Sequence, residues 1–340
     1  RRKNHTSPFP ESPPKKILFI LVFSNPLSLF IILANIFIIV GILLNRKLHT
    51  TMNWFFLSLL FADLLAGAAL PSISELTINN KRLDVHYCFL KYLAPNFLFL
   101  SFLANLLIVH YARYVCILQP LHYHCSWIHR WSGLHILAAW TAPLIFACLP
   151  VAWNQWEPQS NCTSMRVFPM PYLYLETYGF LIPSILAMAF MCVRMLCVAR
   201  RQLKNITKLL RSVNKDQVPT ELEQQLELRN AKSTASVSLI FLICWLPYIA
   251  CLNISLLAIK NDIDPLINTI VTCIGTGSAA AVPIALTFGN QQYTQFWKDL
   301  CTRFCEGCCR GKGREQRQIK PKENSSSGYH ASSGLCTQCC

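Results

Sequence analysis

Apolar blocks of about twenty residues alternate with short polar stretches along this chain, at roughly 17–44, 54–74, 89–111, 132–153, 172–198, 235–258 and 266–289. A helix rises about 1.5 Å per residue, so about twenty residues cross a hydrocarbon layer roughly 30 Å thick. Within that layer a helix satisfies all of its own backbone groups, and an isolated strand does not. The pattern therefore predicts an all-α membrane protein with a seven-transmembrane-helix bundle over 17–292. Asn25-Pro26 interrupts the first block, which a membrane helix tolerates where neighbours cover the freed carbonyl. That block follows a basic stretch, as a signal peptide would. It is far longer than a signal core of about 7–15 residues and lacks a small-residue cleavage site. No internal repeat is visible, which counts against a repeat-built transporter.

Charge sets the orientation. About two-thirds of the 31 lysines and arginines fall on one side, and that side faces inward by the positive-inside rule. The amino terminus is then outside, as in a multi-pass plasma-membrane protein. The net charge of +15 reads as membrane topology, because no soluble domain exists to present it to a nucleic acid. Of 17 cysteines only Cys88 and Cys162 fall in outer segments, which makes them the natural disulfide pair. Asn4 and Asn161 begin glycosylation sequons on the outer side. Asn205-Ile206-Thr207 fits the same pattern but faces inward, so the triplet alone is a weak signal.

The flanks are polar. Residues 1–16 hold four prolines and few apolar residues and are expected to be disordered, as is the tail over 310–340. The third inner loop, roughly 199–234, is the longest, with helical character and basic residues at its ends, a candidate docking surface for a cytoplasmic partner. Over 293–309, Phe296, Leu300 and Phe304 recur at helical spacing beside Lys298 and Arg303, the pattern of a short amphipathic eighth helix in the inner interface. Cys301, Cys305, Cys308 and Cys309 follow within reach of the lipid as palmitoylation candidates. Their spacing is poor for zinc and no histidine stands at ligand distance, so neither a metal nor a cofactor is expected.

Polar and helix-bending residues inside the spans come next, because each one is costly in lipid. Asn35 and Asp63 occupy helices 1 and 2; Trp140, Pro183 and Pro283 fall near the middle of helices 4, 5 and 7. Helix 6 carries Cys244-Trp245-Leu246-Pro247, and helix 3 ends at Ala112-Arg113-Tyr114. Taken together and in order, this set resembles the rhodopsin family of G-protein-coupled receptors across all seven helices. The resemblance implies that Trp245 sits below a ligand. It also implies that Arg113 and Tyr114 engage a G protein when helix 6 swings about Pro247, with Asp63 and Pro283 in the same activation set. Arrestin is a further partner implied by the family. Two departures stand out. The acidic residue that precedes the helix 3 arginine is here Ala112, and the helix 7 Asn-Pro-x-x-Tyr motif is Val282-Pro283-Ile284-Ala285-Leu286. A glutamate at 112 would form a partly exposed pair worth about 0–1 kcal/mol, so its absence should raise basal activity by population shift. The sodium site that the family builds between Asp63 and helix 7 has lost a ligand.

Longer runs narrow the likeness to the bile acid receptors of that family. They are Tyr92-Leu93-Ala94-Pro95-Asn96-Phe97 with Ala104-Asn105-Leu106-Leu107 on helix 3, Phe168-Pro169 and Pro171-Tyr172-Leu173-Tyr174-Leu175-Glu176 at the start of helix 5, and Ala279-Ala280-Ala281-Val282-Pro283 on helix 7. Helical spacing puts Tyr92, Asn96 and Phe99 on one face of helix 3, and Tyr248, Leu252 and Ser255 on one face of helix 6. Two such faces would line an aromatic and aliphatic cavity with a few polar groups. The resemblance implies that Glu176 and Asn96 bond ligand hydroxyls deep in the pocket, with Ser255 and Thr276 toward the ligand tail. Ordinary interhelical hydrogen bonds are the plainer account of these polar groups. The expected function is a receptor for a bile acid or related steroid, coupled to the stimulatory G protein and raising cyclic AMP. A receptor for another lipid or steroid is the alternative. A seven-helix channel would need a continuous polar path, which the spans lack apart from Asp63 and Glu176. No Ser/His/Asp or metal-ligand set falls at membrane depth to make an enzyme.

Overall fold

The computed structural model describes residues 18, 20–78, 84–118, 126–153, 162, 164–210, 235–237, 239–254, 256, 265–289, 295, 298 and 302. Several sequence expectations lie outside these residues: the flanks 1–16 and 310–340, Asn4, Asn161, Ser255, Cys301, Cys305, Cys308, Cys309 and most of the amphipathic stretch 293–309. The chain divides into two units, Arg1–Phe296 and Trp297–Cys340. In the second, the Thr302 hydroxyl donates to the Lys298 carbonyl at 2.9 Å.

Among the described residues, seven helices, all in the first unit, are long and apolar enough to cross a membrane. They are α1 (Asn25–Leu44), α2 (Thr51–Ile78), α3 (Val85–Leu118), α4 (Ser132–Ala152), α5 (Ile182–Leu210, entered through Met170–Tyr174 and Leu175–Leu181), α6 (Ala235–Ile254) and α7 (Pro265–Gly277, whose span Leu266–Ala285 is completed by Ser278–Ala280 and the start of Ala281–Gly289). Each expected block corresponds to one of them. Asn25-Pro26 proves to be a junction, where a π-helical turn, Ile20–Ser24, gives way to α1 with proline in its first turn. Proline is at home there because its missing N–H would be unpaired anyway. At the start of α2 the Thr50 hydroxyl accepts from the Asn53 N–H at 3.3 Å, capping an otherwise unpaired amide.

The bundle is built for lipid. Leu33, Leu137, Ile145, Leu186, Phe190, Ile243 and Leu246 are exposed on the outside, an apolar coat that water would not tolerate. The interior holds Ser28, Asn35, Ser58, Asp63, Ser101 and Asn105, all buried. In lipid, close packing and interhelical hydrogen bonds supply association, since tails are as apolar as leucine. Ser58 of α2 donates to Asn105 Oδ1 of α3 at 2.6 Å and accepts the Trp140 indole N–H of α4 at 3.0 Å. Asn35 of α1 donates to the Ala279 carbonyl beyond α7 at 3.3 Å. These bonds bring α3, which also contacts α5, to the centre of the bundle.

One expectation about a helix end needs correction. Helix 3 does not stop at Ala112-Arg113-Tyr114 but continues to Leu118, because hydropathy marks the apolar layer and not the hydrogen-bonded rod. Helix 7 is not uniform: after Gly277 it tightens into a 3-10 turn, Ser278–Ala280, and resumes as Ala281–Gly289.

Candidate functional site

The disulfide Cys88–Cys162 is formed, joining the outer end of α3 to the stretch that leads into α5. Cys88 is fully buried, in a cluster with Val167, Phe168, Tyr172 and Phe146. From this anchor α3 descends past Tyr92, Asn96 and Phe99, all half-buried, as the helical spacing requires. The Tyr92 ring meets Phe168 edge-on at 6.1 Å. The Asn96 amide donates to the Tyr172 hydroxyl at 2.8 Å, and the Glu176 carboxyl lies close by. Tyr172 is held by stacking, on Phe168 at 5.4 Å and Phe146 at 4.9 Å. Glu176 sits in the π-helical turn Leu175–Leu181, which re-aims the residues of α5 by the extra residue in its turn.

An aromatic cage forms the floor. Phe99 packs on Trp245 at 4.5 Å, and Tyr248 meets Trp245 edge-on at 5.5 Å and Phe99 at 6.2 Å. The Trp245 N–H donates to the Ser278 hydroxyl at 3.1 Å, and Ser278 donates in turn to the Gly275 carbonyl at 2.6 Å. Gly275 is the one residue that allows this fit, since a Cβ there would stand 2.8 Å from the indole. Leu252 is half-buried on α6 above Tyr248, and Thr276 is buried on α7 beside Gly275. Of the α3 and α6 residues read from helical spacing, Phe99 and Tyr248 meet between the two helices, with Asn96 one turn outward on α3; Ser255 lies outside the described residues. Tyr172, Phe168 and Ser278 belong to the same assembly and were not singled out from sequence. Tyr172 lies in the short α-helical stretch Met170–Tyr174, and the π-turn that follows it breaks the period by which a face could be chosen.

Deeper in the bundle, Asp63 is completely buried, and among the described residues neither carboxyl oxygen accepts a hydrogen bond. Val282, where the family carries asparagine, is fully buried and offers no oxygen, so that position does not complete the family's sodium site. At the inner end, the Arg113 guanidinium lies 5.1 Å over the Phe56 ring of α2. Tyr114 is half-buried beside it, and Pro247 and Pro283 lie within continuous helix, on α6 and beyond α7. Ala112 is not partly exposed, as a boundary position would be; it is fully buried against the inner core. The physical reason is the length of α3, which carries the position inside its packed stretch. Below the span, α5 runs on from Val198 to Leu210 with Arg200 and Arg201 exposed.

Comparison with known proteins agrees in extent with these landmarks. The sequence model for 7 transmembrane receptor (rhodopsin family) matches residues 34–285. The chain is 42% identical over 334 residues to the G-protein coupled bile acid receptor 1 of Homo sapiens, covering 97% of this chain and 96% of that one. It is 41% identical over 315 residues to the Rattus norvegicus protein of the same name, covering 92% of each. Against the Bos taurus counterpart it is 42% identical over 314 residues, covering 91% of each.

Proposed function

The chain belongs to the rhodopsin family of seven-transmembrane receptors, and on that premise we propose that it is a plasma-membrane receptor for a bile acid or related steroid, with its amino terminus outside and the stimulatory G protein as its partner. One observation carries the ligand class: the Asn96–Tyr172–Glu176 polar cluster set at one side of the aromatic cage of Phe99, Trp245 and Tyr248. A rigid apolar skeleton with hydroxyls at fixed points is complementary to that arrangement, and buried polar groups reject ligands that leave them unpaired. The 42% identity to a human bile acid receptor across nearly the whole chain supports the same reading. Trp245 then senses the ligand through Phe99, and α6 bends at Pro247 to open the inner end around Arg113 and Tyr114. The basic extension of α5 suits an acidic surface on the G protein. Cells expressing the chain should raise cyclic AMP on exposure to bile acids from a panel of acids and steroids. A flat response beside a clear cell-surface signal would refute the ligand class and leave the receptor family intact.

The inner departure gives a second test. A glutamate at position 112 enters a fully covered site next to Arg113, where an unpaired carboxylate is costly and pairing is the available relief. Ala112→Glu is therefore expected to lower ligand-free cyclic AMP up to about fivefold per receptor, by favouring the inactive arrangement. Its surface density should also fall below the parent's. Ala112→Gln should share the loss of density without the loss of basal signal per receptor. Basal signal that is unchanged or raised in the glutamate variant would show that an acid here does not restrain Arg113.

A further inference from the structure

Lys91 is the one strongly basic residue among the described residues whose side chain is buried in the outer half of the bundle, at 6% exposure. A lysine near a helix end ordinarily snorkels to water, burying its stem and leaving the ammonium wet. Here the ammonium lies instead 5.4 Å from the centre of the Tyr92 ring, against a π face. Among the described residues no carboxylate is within ion-pair distance of it; Asp84 and Glu75, which lie in the same outer region, are both exposed. A buried cation is costly where no anion pairs with it, and among the described residues an aromatic face is what offsets that cost, in part.

The position relates this charge to the pocket. Lys91 is five residues, about 7.5 Å of helix rise, outward of Asn96. Its side chain leans further outward, since helix side chains tilt toward the amino-terminal end, which in α3 is the Cys88 end. Its neighbour Tyr92 touches Phe168, and Phe168 stacks on Tyr172, so one aromatic wall runs from the ammonium down to the hydroxyl-binding cluster. Hydrogen-bonding groups lie at the deep end of this wall and a buried cation at the shallow end.

We infer that Lys91 is the anion-binding residue of the pocket, taking the carboxylate or sulfonate at the tail of an acidic steroid whose ring hydroxyls reach Asn96 and Glu176. This rests on the steroid-receptor reading and adds a preference for the acid over its neutral derivatives. A charge-assisted bond at such a site changes affinity by roughly 10- to 100-fold. The test compares a bile acid, its taurine conjugate and its methyl ester as agonists in cyclic AMP assays at matched surface density. Lys91→Met should raise the half-maximal concentration of the acid and the conjugate by roughly 10-fold or more, with a much smaller shift for the ester. Lys91→Arg should keep the parent's preference, and Lys91→Glu should turn the preference toward the ester. Equal shifts for acid and ester in Lys91→Met would overturn the inference while leaving the steroid reading standing. A parent receptor indifferent to all three compounds would overturn both.

Discussion

Replacing Glu176 by alanine is expected to raise the half-maximal concentration of a hydroxylated steroid agonist by roughly 10- to 100-fold, the equivalent of about 1–3 kcal/mol. The side chain is partly buried and lies beside the Asn96–Tyr172 hydrogen bond. Alanine removes the ligand's hydrogen-bond partner and also leaves Asn96 with one contact fewer, so the loss combines two effects that a single substitution cannot separate. Glu176→Gln retains shape and an acceptor oxygen and should cost only a few-fold, in the range of one neutral hydrogen bond. Leu33→Ala, on the lipid face of α1, serves as the control for expression. If both Glu176 variants answer agonists as the parent does while the control behaves normally, the polar cluster is an interhelical fastening and not part of the ligand site.

Seven spans were legible because lipid demands the same thing of every residue on a helix's outer surface. Leu137, Ile145 and Leu186 are apolar for that reason alone, and hydropathy detects it without knowing the neighbours. The pairing of Cys88 with Cys162 was legible for a similar reason, since topology left no other cysteine outside. What hydropathy cannot detect is backbone geometry within a span. The π-turn at Leu175–Leu181 and the 3-10 turn at Ser278–Ala280 lie inside spans whose mean hydropathy is blind to how the backbone winds, and they decide where Glu176 and Ser278 point. Tyr92, Asn96 and Phe99 were legible as a helical period because α3 stays helical there, through Pro95. Gly275 could not be read as a contact, because its meaning lies in the indole of Trp245 on another helix, 30 residues earlier in the chain. Ala112 was misread for the complementary reason. Exposure at a membrane boundary depends on how far the neighbouring helices extend, and no single-helix pattern contains that.

Cys88→Ala is expected to have the largest effect on the amount of receptor at the cell surface. The disulfide closes 74 residues of chain, and removing such a bridge typically costs about 2–5 kcal/mol. Much of that cost reflects the freedom returned to the unfolded chain, but here a structural part adds to it. Cys88 is fully buried among Val167, Phe168 and Tyr172, and Phe168 and Tyr172 form the stacked pair that positions the Asn96 contact. With the bridge gone, the stretch ahead of α5 loses its tie to α3, and the aromatic wall loses its fixed distance from Tyr92. Surface density should fall severalfold, and the receptors that do arrive should respond to agonist at higher concentration. Cys162→Ala should reproduce both effects, and the double variant should be no worse than either single one, since a bond can be removed only once. Cell-surface labelling beside agonist dose-response curves measures the two quantities separately. Normal density with normal potency in either single variant would show that the outer wall holds its shape without the bridge. A double variant much worse than both singles would show that the two cysteines act apart.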